Sequence, residues 1–95
     1  MEVEIIKYTG EFAEDKDTAR EIRVKKIMPS LKGEEKIILN FKGVHSATQS
    51  FIHALLSEII RQKGIGVLDS IEFKNCNDVL KKIINIVTNY MQDED

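Results

Sequence analysis

The chain has 95 residues, 42% of them hydrophobic and 32% charged, with a formal net charge of −2 and a single cysteine. That length sets one domain with one core, and the lone Cys76 excludes an internal disulfide. The basic residues come as scattered pairs (Lys25 and Lys26, Arg61 and Lys63, Lys81 and Lys82), so the clustered footprint that nucleic acid requires is missing.

Residues 3–8 (VEIIKY) are rich in β-branched side chains and end at Thr9-Gly10, which predicts a strand. Gly10-Glu11-Phe12 then leads into a charged loop through Asp17. Thr18-x-x-Glu21 has the form of a capping box and predicts a helix over 18–31. Its buried face is expected to hold Val24, Ile27, Met28 and Leu31, with Ile22 at the margin. Pro29 lacks a backbone donor and is expected to kink or shorten this helix, and Gly33 to stop it.

Residues 37–41 (IILNF) are apolar nearly throughout and do not alternate, which predicts a central parallel strand covered on both faces. A polar and small segment follows, 42–47 (KGVHSA), with Val44 in its middle. A second helix is predicted over 48–63, with Phe51, Ile52, Leu55, Leu56, Ile59 and Ile60 on its apolar stripe and Gly64 as its stop. Residues 64–69 (GIGVLD) form a connector that admits one turn of helix. Residues 71–74 (IEFK) predict another strand, and Asn75 or Asn77 caps the last helix. That helix carries Val79, Leu80, Ile83, Ile84, Val87, Tyr90 and Met91 on its stripe. Tyr90 and Met91 are expected in the core, the competing reading being an exposed apolar strip for a partner. The domain is expected to span 1–92, with 93–95 as an acidic tail that frays. No apolar run approaches the length of about 18 residues that suggests a membrane span, and no signal segment is recognisable, so a cytoplasmic protein is expected.

Three successive strand–helix units predict an α/β domain: one small, mainly parallel sheet covered by about three helices, with right-handed crossovers. In such sheets the binding surface lies outside the carboxyl ends of the strands. Here that is where the strand at 37–41 runs into the hydroxyls Ser46, Thr48 and Ser50.

The chain resembles a STAS domain, the fold of anti-sigma factor antagonists and of sulfate-transporter tails, over nearly all of its length. The family's opening strand and Gly-Glu-Leu-like turn match Gly10-Glu11-Phe12. Its Val-Leu-Asp-Leu/Phe strand matches Ile38-Leu39-Asn40-Phe41, and its small-residue turn with Val matches Gly43-Val44. The segment that opens the family's second helix, Asp-Ser-Ser/Thr-Gly, aligns with Thr48-Gln49-Ser50-Phe51. The Thr-x-Ser-Phe form resembles the divergent STAS-like branch of bacteria and archaea more than the sigma-pathway members. The family's phosphorylated Ser thus falls on Gln49, its preceding Asp on Thr48 and its following Gly on Phe51. Glutamine cannot accept a phosphoryl group, so the phospho-switch does not carry over to its own position.

Two readings of the hydroxyl segment compete. Ser46-x-x-Gln49 fits a capping box and Thr48 is itself a candidate N-cap, which would make the segment structural. The functional reading is a binding surface made by Lys42, His45, Ser46, Thr48, Gln49 and Ser50 along the rim, with His53 and Ser57 on the exposed side of the second helix. His45, His53 and Cys76 lack short metal-ligand spacing, so no metal site is expected. Ser46 or Cys76 with His45 as base lacks a third, orienting group nearby in sequence, so no catalytic set is expected. Gly64-x-Gly66 is too short for a phosphate loop. The expectation is a non-enzymatic regulatory module without a cofactor. By resemblance its partner is a protein, a histidine-kinase-like ATPase or an anti-sigma factor, with no nucleic acid and no membrane. The alternative is a domain that senses a small ligand or nucleotide at the same rim. The reading admits weak homodimerisation.

Overall fold

The computed structural model describes residues 1–31 and 36–93. In chain order the elements are β1 (Glu2–Glu4), a short helical turn α1 (Ile6–Thr9), β2 (Phe12–Ala13), α2 (Lys16–Ile22), a π-helical turn (Arg23–Ile27), α3 (Met28–Ser30), β3 (Ile37–Asn40), β4 (Ser46–Ala47), α4 (Gln49–Lys63), a 3₁₀ segment (Ile65–Ser70), β5 (Ile71–Lys74) and α5 (Asp78–Asp93). The expected stop at Gly33 and the tail residues Glu94 and Asp95 lie outside the described residues.

The apolar run at 37–40 is the central strand. It pairs in parallel with β1 on one side and β5 on the other, in register Val3–Leu39–Phe73. Val3, Ile37, Leu39 and Ile71 are buried on one face of this sheet. The opposite face carries Glu2, Glu4, Glu72 and Lys74, all exposed, around half-buried Ile38. The sheet is therefore covered on one side, and the expectation of cover on both faces of the central strand does not hold. At the carboxyl end of that open face Asn40, itself buried, ties three strands together. Its Nδ2 donates to Glu2 Oε2 at 2.9 Å, and its Oδ1 accepts from Lys42 N–H at 2.9 Å and from Asn75 Nδ2 at 3.0 Å. A buried amide must find such partners to offset its desolvation.

The predicted first strand is shorter than expected. Beyond Glu4 only one further ladder bond forms, from Ile5 N–H to Asn40 O at 2.9 Å. β3 has ended there, so the next backbone donors turn inward: Tyr8 N–H and Thr9 N–H bond to Ile5 O, and Gly10 N–H to Ile6 O. The predicted loop after Gly10 contains a strand. Phe12–Ala13 pairs in parallel with Ser46–Ala47, because both alanines are buried and their backbone groups need partners.

The first long helix begins earlier than the capping-box reading placed it. Asp15 is the N-cap, its side chain accepting from Asp17 N–H at 2.8 Å, and Thr18 donates to the same carboxylate. Pro29 does not end the helix. A π turn intervenes, in which Met28 N–H bonds to Arg23 O, and Pro29 sits in the first turn of α3, where its missing donor costs nothing. The π turn also re-phases the buried face. At about 100° per residue, positions five apart on an α-helix point about 140° apart. The wider turn lets Ile22 and Ile27 both reach the core, fully buried, and leaves Val24 exposed.

α4 follows its expected pattern, burying Phe51, Ile52, Leu55, Leu56 and Ile59, and ends at Gly64, whose φ of 85° suits a residue without a Cβ. Arg23 Nη1 donates to Ala54 O at 2.8 Å and fastens the π turn to α4. α5 is capped by Asn77, whose Oδ1 accepts from Leu80 N–H at 2.9 Å. Its apolar residues fill an arc of about 160° at the helical period. Leu80, Ile84, Val87 and Met91 occupy one half of that arc and are buried, Ile83 is half-buried, and Val79, Ile86 and Tyr90 on the other half are exposed. Tyr90 is thus on the surface, contrary to the expectation of a core position, while Met91 is in the core.

Candidate functional site

The rim forms where β3 ends. Residues 41–44 make a turn closed by Val44 N–H to Phe41 O at 2.9 Å, with Gly43 at a φ of 84°. The positive φ is what favours glycine here; a Cβ would stand 2.6 Å from Ile6 Cδ1, the far end of a side chain that must swing aside. The turn leaves Lys42 and His45 exposed and delivers the chain into β4. Ser46 is half-buried within β4 and does not cap α4, so the capping box Ser46-x-x-Gln49 does not form. Thr48 is the N-cap, its Oγ1 accepting from Phe51 N–H at 3.0 Å. Gln49 and Ser50 then stand exposed in the first turn of α4.

The eight residues of the expected surface fall into two groups. Lys42, His45, Ser46 and Thr48 stay at the strand ends. There His45 N–H bonds to Glu11 O at 2.7 Å, His45 Nε2 lies 3.5 Å from Glu11 Oε1, and the Phe12 ring sits beside the imidazole with centroids 6.1 Å apart. Asn77 Nδ2 donates to His45 O at 2.9 Å, so one side chain both caps α5 and holds the strand end. Sequence spacing gave no sign of Glu11 beside His45, because the β2–β4 pairing brings them together. Both side chains are exposed.

Gln49, Ser50 and His53 gather elsewhere, along a groove of about 410 Å³ between α4 and α5. Its other lining residues are Lys16 from the start of α2, Ala54, Ile86, Val87 and Tyr90. His53 and Ser57 continue this surface into a second groove toward Met91. On the other flank of α4, a third groove is lined by Lys16, Arg20, Arg23, Ser57 and Arg61 together with Asp17 and Glu58. The outward ridge Ser50–His53–Ser57–Arg61 therefore runs between depressions on both sides. Sequence reasoning missed Lys16 and Ile86, and gave Tyr90 an exposed, partner-facing position only as the competing reading. The excess width of the α5 apolar arc was the available signal, since one helix edge cannot bury all of it.

Cys76 is half-buried beside the core, and burial pushes its thiol above the usual cysteine range despite the charge of Lys81, which makes it a poor nucleophile. Among the described residues no cluster of three or more His, Cys, Asp or Glu is placed to hold a metal ion. No helix there is long and apolar enough to cross a membrane.

A parallel sheet with its helices packed on one face, and a strand–turn–helix rim at its carboxyl end, define a small α/β domain of the STAS type. The chain belongs to a family described as the STAS-like domain of unknown function (DUF4325), whose model matches residues 18–81. That segment runs from the first turns of α2 into the first turn of α5 and includes the rim and the whole of α4. No curated protein and no solved structure matches the chain.

Proposed function

We propose that this domain is a non-enzymatic regulatory module that binds a protein through the exposed face of α4 and the adjoining rim. The contact surface comprises Gln49, Ser50, His53 and Ser57, with Lys42, His45, Ser46 and the cap Thr48 at its edge. The observation that carries this reading is the groove between α4 and α5, where three of these residues lie beside exposed Ile86 and Tyr90. Apolar side chains left in water beside polar ones are characteristic of interaction surfaces. The exposed His45 and the protonated Cys76 thiol favour a non-catalytic role. By resemblance to STAS domains, the partner is a histidine-kinase-like ATPase or an anti-sigma factor. Because Gln49 stands at the family's phosphoacceptor position, binding is constitutive. Stoichiometric phosphate on Thr48 or Ser50 in protein isolated from its host would contradict that point.

The groove volume also falls within the range of small-ligand pockets, about 300–1,000 Å³, which favours a ligand- or nucleotide-sensing domain as the second reading. The test is site-specific photo-cross-linking in the native host, with the cross-linker placed at His53, at Ser57 and at Glu72 on the open sheet face. Adducts to one protein from positions 53 and 57, and none from 72, support the module. Adducts from 72 alone overturn it. Nucleotide or metabolite co-purifying with the protein, without protein adducts, selects the second reading.

A further inference from the structure

The exposed edge of α5 has a regular form. Val79, Ile83, Ile86 and Tyr90 follow one another at spacings of four, three and four residues, and three of the four are exposed while Ile83 is half-buried. That spacing is the seam of helix-on-helix packing, in which each apolar side chain enters a hole on a facing helix. Ile83 leans on the core, but among the described residues no facing helix covers Val79, Ile86 and Tyr90, because α5 packs inward through the other half of its arc, Leu80, Ile84, Val87 and Met91.

On its inner side, toward α4, the seam meets positive charge only. The groove that borders it is lined by Lys16 and His53 and, among the described residues, by no carboxylate, although the chain as a whole carries a net charge of −2. Lys82 and Asn89 flank the seam on its outer side, with Asp78 at its amino end. Lys16, Arg20 and Lys82 make no ion pair among the described residues, whereas Arg61 is paired with Glu58 at 3.0 Å. Lys16 in a groove that holds no carboxylate among the described residues, beside an apolar seam, is complementary to a helix that is apolar along one stripe and acidic beside it.

We infer that the α4–α5 groove receives an acidic amphipathic helix of the partner protein, which lays its apolar stripe along Val79, Ile83, Ile86 and Tyr90 and sets its carboxylates against Lys16 and Lys82. This rests on the reading of that groove as a protein-docking surface and adds the chemistry of what docks. Ile83, Ile86 and Tyr90 lie beyond the matched segment 18–81, so family membership carries no expectation about them. A second copy of this chain is the weaker occupant, because its own α5 face offers Lys82, Asn85 and Asn89 along the seam and a carboxylate, Asp78, only at the amino end.

The test selects binders to the whole protein from a displayed library of helical peptides randomised at seam and flanking positions. The expected result is enrichment of apolar residues at alternating four and three spacing with Asp or Glu beside them. Affinity of the selected peptides should fall at least about tenfold in Ile86→Asp and in Lys16→Glu, and fall with added salt. Lys16 is exposed and Ile86 partly so, so both variants should still unfold cooperatively and remain folded at the assay temperature, with Lys16→Glu melting as the parent does. Selected peptides with basic flanks, peptides indifferent to both variants, or no enrichment would each overturn the inference. So would sedimentation showing a dimer that Ile86→Asp dissolves, since the seam would then belong to a second copy. Protein adducts from positions 53 and 57 together with any of these failures would leave the docking surface standing and remove only the acidic helix.

Discussion

Ile86 and Tyr90 stand one turn apart on α5, 41% and 59% exposed, and share a groove with Ser50 and His53 of α4. Leaving them partly in water forgoes a share of the roughly 1.5–3 kcal/mol that full burial of a large apolar side chain contributes. The same helix buries Leu80, Ile84, Val87 and Met91, so its amphipathic arc serves two surfaces, one inside the domain and one outside it. That division predicts which substitutions damage the fold and which damage recognition.

Leu55 is fully buried in the middle of α4 and Tyr90 is mostly exposed. Leu55→Ala should cost about 2–5 kcal/mol, a large share of a total near 5–15 kcal/mol. Tyr90→Ala should lie within about 0.5 kcal/mol of the parent. Urea midpoints of the two variants give the comparison, and equal midpoints would refute this packing.

Gly43 should tolerate a side chain poorly. Its φ of 84° strains any residue with a Cβ, and Ile6 Cδ1, 2.6 Å from the place a methyl group would occupy, would have to swing aside. Gly43→Ala should cost about 1–3 kcal/mol. Gly66→Ala, where φ is not positive and nothing lies within 4 Å, should be nearly neutral. Thermal unfolding of the pair reads the difference.

The two hydroxyls at the start of α4 should behave differently. Thr48 accepts the Phe51 N–H and Ser46 does not cap. Thr48→Ala should therefore cost about 1 kcal/mol, and Ser46→Ala distinctly less. Equal losses in urea would return the cap to the pair.

The central strand and α4 were legible in the sequence because each repeats one signal without interruption: an apolar run for Ile37–Asn40, and helical spacing from Phe51 to Ile59 closed by Gly64. The face of the first helix was not, because the π turn breaks the 3.6-residue period between Ile22 and Ile27 and sends Val24 to the surface. The β2–β4 pair was missed because two-residue strands carry no pattern of their own and form only when the rim brings Ala13 beside Ala47. Half of the candidate surface was visible as hydroxyls and His53 on α4. The other half comes from Lys16, Ile86 and Tyr90, which only the packing of α2 and α5 on α4 brings near.

Acid should weaken the clasp on the open sheet face. Asn40 Nδ2, first, and then the Lys74 charge hold the Glu2 carboxyl below the usual carboxylate range. A carboxyl with a depressed folded pKa adds stability that is complete above its unfolded pKa and is lost as pH falls through the folded value. Glu2→Gln should therefore be less stable than the parent near neutrality, and the gap should close on acidification below the usual carboxylate range. Urea midpoints across that range check the sign. A gap that widens in acid would contradict the assignment.

The central claim is that the exposed face of α4 binds a protein partner. Its most direct measurement is the affinity of the cross-linked partner for the parent, Ser50→Asp, Ser46→Asp and Glu72→Ala, with thermal melts alongside. A negative charge in the first turn of α4 suits the helix dipole and so spares the fold, but a docked partner must desolvate it. Ser50→Asp should weaken binding at least about tenfold with an unchanged melting temperature, and Glu72→Ala should bind as the parent does. Intact affinity in Ser50→Asp, with binding abolished by Glu72→Ala on the open sheet face, would contradict the account.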